Sequence, residues 1–572
     1  MMPAMISLLL LSLACDGGQV DTGTAPTSLV DDTGETDGTR YGEAIYDIDR
    51  LLQVEVTLDP DDWEDLRYQA RDFLNMLSGD ECLAEPFESP YSWFPATVTI
   101  DGTTLENIAV RKKGLLGSVE PGRPSLKLDF DRYVDGQLYE DVERLTLNNS
   151  RQDGSRIKTC LGYQLYADAG LPAPRCSYAH VVVNGEDLGV YVNVEPVKKP
   201  FLRRVFGNDS GNLYEGTLSD FLDGWDTSFD DKTDVSDYAD IQAATEALET
   251  QGTGFEAAVA EHFDLDEFYR AWALEALIGH WDSYTGNRNN FYVYGDPVDG
   301  GRFSFIPWGI DAILEGEEPF GEGRPTTITG TATLPSRLLG HSEPVARYEA
   351  ALRSLLEEVW DEEVLLGRVD HAVELTASYA WPEGNDEGWQ DDTIGAIRDF
   401  IERRRAQVEA EWAVDAPDAA VGDPGDICLD VIGTIDLAFE TTQGSYGTQD
   451  TWSHGESTWD FLLYDAPTPV EVLGNVAGEY DGVFYMILSA ALSEDYNLAV
   501  YVYSTRPELF QTAGTVPLDW SSATAYLLLD ADGDLEGWEL GAYLGGSLTL
   551  TEAGLPYDSP LVGSLALEVF GG

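Results

Sequence analysis

Positive charge is scarce in this sequence. Its 572 residues hold 33 Lys and Arg against 104 Asp and Glu, a formal net charge of −71. Nucleic acids are gripped by clustered Lys and Arg that release counterions, so surface-wide nucleic-acid binding is excluded. Histidine is sparse as well: six residues, scattered, with no pair at metal spacing and no Cys-x-x-Cys, which argues against a zinc site. No apolar run is long enough to span a bilayer as a helix; the run Met5 to Leu13 falls short. Cysteines number five. Apart from Cys15, the set Cys82, Cys160, Cys176 and Cys428 can form two disulfides in three connectivities in an exported chain. Spacing selects none of the three, although Cys160 and Cys176 flank one helix and one strand.

What is present points to folded, exported material. Hydrophobic residues make up 43% and tryptophans number 14, and the length exceeds one core, so two to four domains are expected. The acidity favours solubility outside the cell and cationic partners or divalent cations. The opening MMPAMISLLLLSLAC has the apolar stretch and small-residue end of an export signal. Ser12-Leu13-Ala14-Cys15 resembles a bacterial lipoprotein signal, which implies lipidation of Cys15 and a membrane-anchored envelope or surface protein; cleavage near Ala14 with release is the alternative. Residues 16–43, rich in Asp, Gly and Thr, read as a solvated tether.

From residue 44 the pattern is globular. Alternation through Leu52, Val54, Val56 and Leu58 predicts a strand, and DPDDWEDLRYQARDFL predicts a helix capped by Asp59 or Asp61. Hairpins are expected at Asp101-Gly102 and Asn184-Gly185. A helix over 155–169 should stop at Gly170, ahead of Pro172 and Pro174. Helices at 264–280, 344–359 and 392–412 follow. Strands first and helices second give a two-lobed α+β body over 44–413. Residues 414–427 read as a linker, and 428–572 as short strands between Gly, Asp and Ser turns, which fits a β-sandwich or jelly roll.

One constellation carries chemistry. His280-Trp281-Asp282-Ser283-Tyr284-Thr285-Gly286-Asn287 has the spacing H-x-D-x4-N of a protein-kinase catalytic loop. There the aspartate accepts the substrate hydroxyl proton and the asparagine holds magnesium. Asn289 and Asn290 crowd the same loop. A hairpin, FYVYGDPVDGGRFSFIPW, then delivers Asp311, in the kinase order. The plainer account of such residues is Asx turns that satisfy loop backbone. The acidic run Asp530, Asp532, Asp534, Glu536 has the alternation that suits Ca2+, but Leu535 and Gly541 occupy the glycine and bidentate-glutamate positions of an EF-hand, so a hairpin turn is the competing account.

Ordered blocks between about 95 and 412 resemble the CotH family of spore-coat-type atypical protein kinases. They are RKKG at 111–114, PSLKLDF at 124–130, LTLNNSRQDGSRIK at 145–158, GLPAPRCSYAHVVVNGEDLGVYVNVE at 170–195, GNLYEG at 211–216, WDSYTGNRNNFYVY at 281–294, FIPWGID at 305–311 and FIERRRAQV at 400–408. The resemblance implies an atypical-kinase-like body that uses ATP and Mg2+ to phosphorylate Ser or Thr of an exported protein, basic and Ser-rich. It implies Asp282 as catalytic base and Asn287 and Asp311 as magnesium ligands. Lys127 would pair with phosphate beside a loop bearing Gly114, Gly117 and Ser118, and Glu195 would line the nucleotide cleft; rim or structural roles are the alternatives, as for Arg156. Two positions depart from the family. Gly309 replaces the first aspartate of P-W-D-x-D, and Ile157 stands where glutamate is common, leaving a lysine–glutamate pair without an acidic partner on that helix. These departures motivate the other reading, a catalytically silent surface-binding or adhesion protein.

Overall fold

The computed structural model describes residues 41–572 except 72, 79–81, 83–85, 87–88, 115–120, 234–235, 316–326, 380–386, 414–415, 418, 420–427, 445–454, 481, 494–495, 520–521, 531–537, 555–558 and 572. The export signal, Cys15, Gly117, Ser118 and Asp532 to Glu536 therefore lie outside the described residues. The chain divides into two compact units: residues 1–69 with 83–425, and residues 70–82 with 426–572.

The first unit begins with seven strands: β1 (Leu51–Leu58), β2 (Phe94–Ile100), β3 (Thr103–Lys112), β4 (Leu126–Asp129), β5 (Arg144–Asn148), β6 (Cys176–Val183) and β7 (Glu186–Val194). They close into a barrel in the order β1-β2-β3-β4-β5-β7-β6, in which β1 pairs β6 in parallel. Alternation works as expected: Val54, Val56, Val98, Ile100, Leu126 and Leu128 point into one buried core. The β2–β3 and β6–β7 turns place Asp101 and Gly102, then Asn184 and Gly185, at positive φ, the two-residue turn those pairs favour. Helix α1 (Pro60–Tyr68), capped by the Asp59 side chain, stops at Gln69, short of the predicted length. Phe73–Met76 forms its own helical turn and belongs to the second unit.

Helix α2 (Lys158–Asp168) links β5 to β6. Beyond β7 come α3 (Lys199–Phe206), strands β8 (Leu213–Gly216) and β9 (Asp230–Asp231), then α4 (Ala239–Leu248), α5 (Phe255–Val259) and α6 (Leu265–Ile278). A one-turn helix α7 (Tyr284–Asn287) precedes β10 (Phe291–Asp296) and β11 (Arg302–Pro307), and α8 (Thr333–Leu339), α9 (Ser342–Glu358), α10 (Glu362–Thr376) and α11 (Glu387–Glu411) complete the lobe. Its sheet runs β11-β10-β8-β9. Phe291 of β10 and Phe303 and Phe305 of β11 join Phe221, Phe263 and Tyr284 in one connected aromatic cluster.

The second unit carries the expected β domain, whose strands join one antiparallel sheet of ten. Its first long strand, Asp430–Thr442, pairs the last, Pro560–Gly571. The disulfides are Cys160–Cys176, and Cys82–Cys428 across 346 residues. The second holds the 70–82 excursion to its unit beside a backbone bridge Ser78–Leu429, with Leu74 and Leu77 buried. Cys428→Ser is expected to lower the stability of this unit by about 2–4 kcal/mol, seen in calorimetry as an earlier transition for that unit. An unchanged melting profile would show that burial of Leu74 and Leu77 suffices. Among the described residues no helix is long and apolar enough to cross a membrane.

Candidate active site

The loop that holds Asp282 is fixed from both sides. Helix α6 ends at Gly279, left-handed at φ 69, and the chain turns back through His280. Glu275, buried on the last turns of α6, accepts from Ser283 Oγ at 2.7 Å and from Thr285 Oγ1. Ser283 caps α7 by accepting from the Gly286 amide. Tyr284 sits among Phe268, Phe291 and Phe305 and donates its hydroxyl to the buried Asp220 at 3.1 Å. Asp220 also accepts from the Thr333 amide and hydroxyl, at 2.9 and 2.8 Å. Burial raises the Asp220 carboxyl above its ordinary range and pushes Glu275 up to about 7 against its hydroxyl hydrogen bonds.

Gly286 lets this loop close. A Cβ there would lie 2.1 Å from the Trp281 carbonyl oxygen, a backbone atom that cannot step aside. Gly286→Ala is expected to cost about 1–3 kcal/mol, as overpacking does, and to part Asn287 from Asp282. Urea unfolding checks the first effect. Full wild-type stability would show that the turn opens freely.

Asp282 is the centre of an amide cage. Its Oδ1 accepts from Asn287 Nδ2 at 2.6 Å and Asn289 Nδ2 at 3.2 Å, and its Oδ2 accepts from Asn290 Nδ2 at 2.6 Å. A carboxylate only accepts, so each asparagine turns its nitrogen inward and its oxygen away. The Oδ1 of Asn289 is buried and finds no donor among the described residues. Burial pushes the Asp282 carboxyl up to about 8; the amides oppose this and the charge of Asp311 adds to it. Asp311 itself is raised to about 6 by burial, with Asp153 adding and Lys158 and Lys113 opposing. Backbone bonds from Trp308 N to Asn290 O and from Leu314 N to Ile278 O hold the two segments together.

The remaining sequence candidates are placed as follows. Gly114, at φ 119, opens the loop after β3. Lys127 lies on the face of β4 opposite the barrel core, between Arg111 and Thr146. Its charge acts on Lys198, which burial, Lys232, Lys127 and Arg144 together lower to about 7. Glu195 is fully buried and serves structure: it accepts from Arg175 Nη2 at 2.9 Å and Arg204 Nη2 at 2.6 Å. Arg156 is also buried and points to the Tyr379 carbonyl. Sequence reasoning missed Glu275, Asp220, Asp153, Lys113 and Lys158. The serine and threonine flanking Tyr284 were the available signal for Glu275.

Comparison with known proteins places the chain in a family. Residues 110–408, more than half of the chain, match the CotH kinase protein family. The chain belongs to that family. Inner spore coat protein H of Bacillus subtilis (strain 168) is 25% identical over 245 residues, covering 40% of this chain and 66% of that protein's length. Among solved structures, the proinflammatory kinase CtkA of Helicobacter pylori aligns over 50% of this chain and 91% of its own, at 9% identity and TM-score 0.26. The HipA–HipB toxin–antitoxin complex of Shewanella oneidensis MR-1 aligns over 57% and 66%, at 11% identity and TM-score 0.26. The candidate loop and Asp311 lie inside the residues matched to this family.

Hard cations in kinases take one or two protein oxygens and complete their shell with phosphates and water. Among the described residues no three His, Cys, Asp or Glu side chains cluster as a metal cage. By chemistry alone, a carboxylate such as Asp311 and a carboxamide oxygen such as that of Asn287 suit that sparse Mg2+ set. Gly309 has φ 53, a left-handed backbone that glycine adopts freely.

Proposed function

We propose that this protein is an exported, lipid-anchored CotH-type kinase that transfers the γ-phosphoryl group of ATP to a Ser or Thr hydroxyl. The single observation behind this is the asparagine cage around Asp282, tied by backbone bonds to the segment that carries Asp311. In the reaction the hydroxyl oxygen bonds to the γ-phosphorus, the bond from that phosphorus to the β–γ bridging oxygen breaks, and the hydroxyl proton passes to Asp282. Asn287 and Asp311 would hold Mg2+, which when bound offsets phosphate charge. Gly114, just after β3, and Lys127, on the face of β4 opposite the barrel core, would serve the phosphates. An acidic protein of net charge −71 recruits a basic, Ser-rich exported substrate most readily. Cys15 supplies the anchor.

Incubation of the full chain with labelled ATP, Mg2+ and a basic Ser-rich peptide tests the reading. Transfer that is lost in Asp282→Asn supports it; transfer that persists refutes it. Gly309 favours a second reading, a silent kinase-like body that serves binding at the cell surface. Melting with and without ATP–Mg2+ separates the two, because a ligand that binds only the folded state raises the midpoint.

A further inference from the structure

In protein kinases a strand lysine that pairs with nucleotide phosphate is held by a glutamate on the following helix. Here the polarity is reversed. The strand before α2 is β5, Arg144 to Asn148, and it holds no lysine. The first turn of α2 has no acidic residue and begins with Lys158, whose side chain is only 3% exposed. Its ammonium pairs with Glu315, which is 37% exposed and lies just beyond Asp311. Lys113, buried beside Gly114, donates to Asn148 Oδ1 at 2.5 Å. The charges of both lysines act on the Asp311 carboxyl.

A lysine at a helix N-terminus opposes the macrodipole, which favours anions there. The N-cap of α2, Ile157, offers no side-chain acceptor, and the buried Asp153 takes the Lys158 amide at 3.0 Å instead. Gly162 locks α2 to the Asp311 segment: a Cβ there would meet Ile310 Cδ1 at 2.6 Å and Ile313 Cδ1 at 2.9 Å. Two lysines and a helix N-terminus therefore gather beside Asp311, and a carboxylate of the chain itself occupies one of the cations.

We propose that Lys158 and Lys113 form the phosphate clamp of the nucleotide site, and that Glu315 stands in for the anion on Lys158 until polyphosphate displaces it. This rests on the nucleotide reading above. Lys127 neighbours this clamp on the same sheet face: it stands opposite Arg111 and two residues from Ser125, whose carbonyl takes the Lys113 amide, and its charge also acts on Lys198. Glu315, the more exposed partner, is the one that leaves, and Lys158 stays where Asp153 and α2 hold it.

Calorimetric titration of ATP–Mg2+ into the full chain tests the clamp. Glu315→Gln is expected to tighten binding three- to tenfold, because the competing carboxylate is gone. Lys158→Met is expected to weaken it at least tenfold, and the double variant to show no gain over Lys158→Met. Equal or weaker binding by a folded Glu315→Gln, with wild type binding normally, overturns the stand-in and leaves the nucleotide reading intact. Absence of binding in both wild type and Glu315→Gln overturns the two together.

Discussion

Asparagine in place of Asp282 is expected to lower phosphoryl transfer by about 10²–10⁴-fold, the usual contribution of a positioned proton acceptor. The same change should flatten the dependence of stability on pH. The Asp282 carboxyl rises from an ordinary 3.8 to about 8, chiefly through burial. The folded state therefore holds this proton more tightly than the unfolded chain does. The sign follows: the stability contributed by the protonated group is complete below about pH 4 and is lost as pH rises through about 8. Glu275, with a window from 4.5 to about 7, and Asp311, from 3.8 to about 6, act in the same direction. Wild type should melt highest in mild acid and lose on the order of a few kcal/mol by pH 8.5, since each tenfold change in proton affinity is about 1.4 kcal/mol. The asparagine variant presents an amide to three inward nitrogens and should melt lower at pH 5, yet with a shallower fall. A fall as steep as that of wild type would show that another group titrates.

Much of this architecture was legible because it is local. Asp101-Gly102 and Asn184-Gly185 declare their turns through a positive φ that few other pairs tolerate. The H-x-D-x4-N spacing brought Asp282 and Asn287 together because five residues, with Gly286 among them, are enough to close the loop. What escaped depends on distance along the chain. The helix expected to run through Leu74 breaks because residues 70–82 join a unit whose other part begins at 426. No periodicity reports a partner 346 residues away. The pair Lys158–Glu315 was hidden for the same reason: the missing glutamate at Ile157 looked like a loss, whereas the charges are exchanged between helix and loop. The pairing order of the C-terminal strands also escaped, because alternation fixes which face is buried but not which strands meet.

Removal of the Glu195 carboxylate should have the largest effect on stability and little on nucleotide affinity. Glu195 sits at 0% exposure directly after β7. It takes the Arg175 amide at 3.0 Å, Arg175 Nε at 3.2 Å and Nη2 at 2.9 Å, and Arg204 Nε at 3.2 Å and Nη2 at 2.6 Å. Both guanidinium groups are largely covered, each 22% exposed. Without the carboxylate they would face each other across a dry site, so Glu195→Ala is expected to cost about 3–5 kcal/mol, the usual result of breaking a buried pair from one side. Urea midpoints measure that loss. ATP–Mg2+ affinity, taken at a temperature where the variant is still folded, should stay within about twofold of wild type, because every Glu195 oxygen already serves an arginine. A tenfold loss of affinity in a protein of near-normal stability would instead assign Glu195 to the nucleotide, as the family resemblance implied, and would mean that Arg175 and Arg204 keep their places without it.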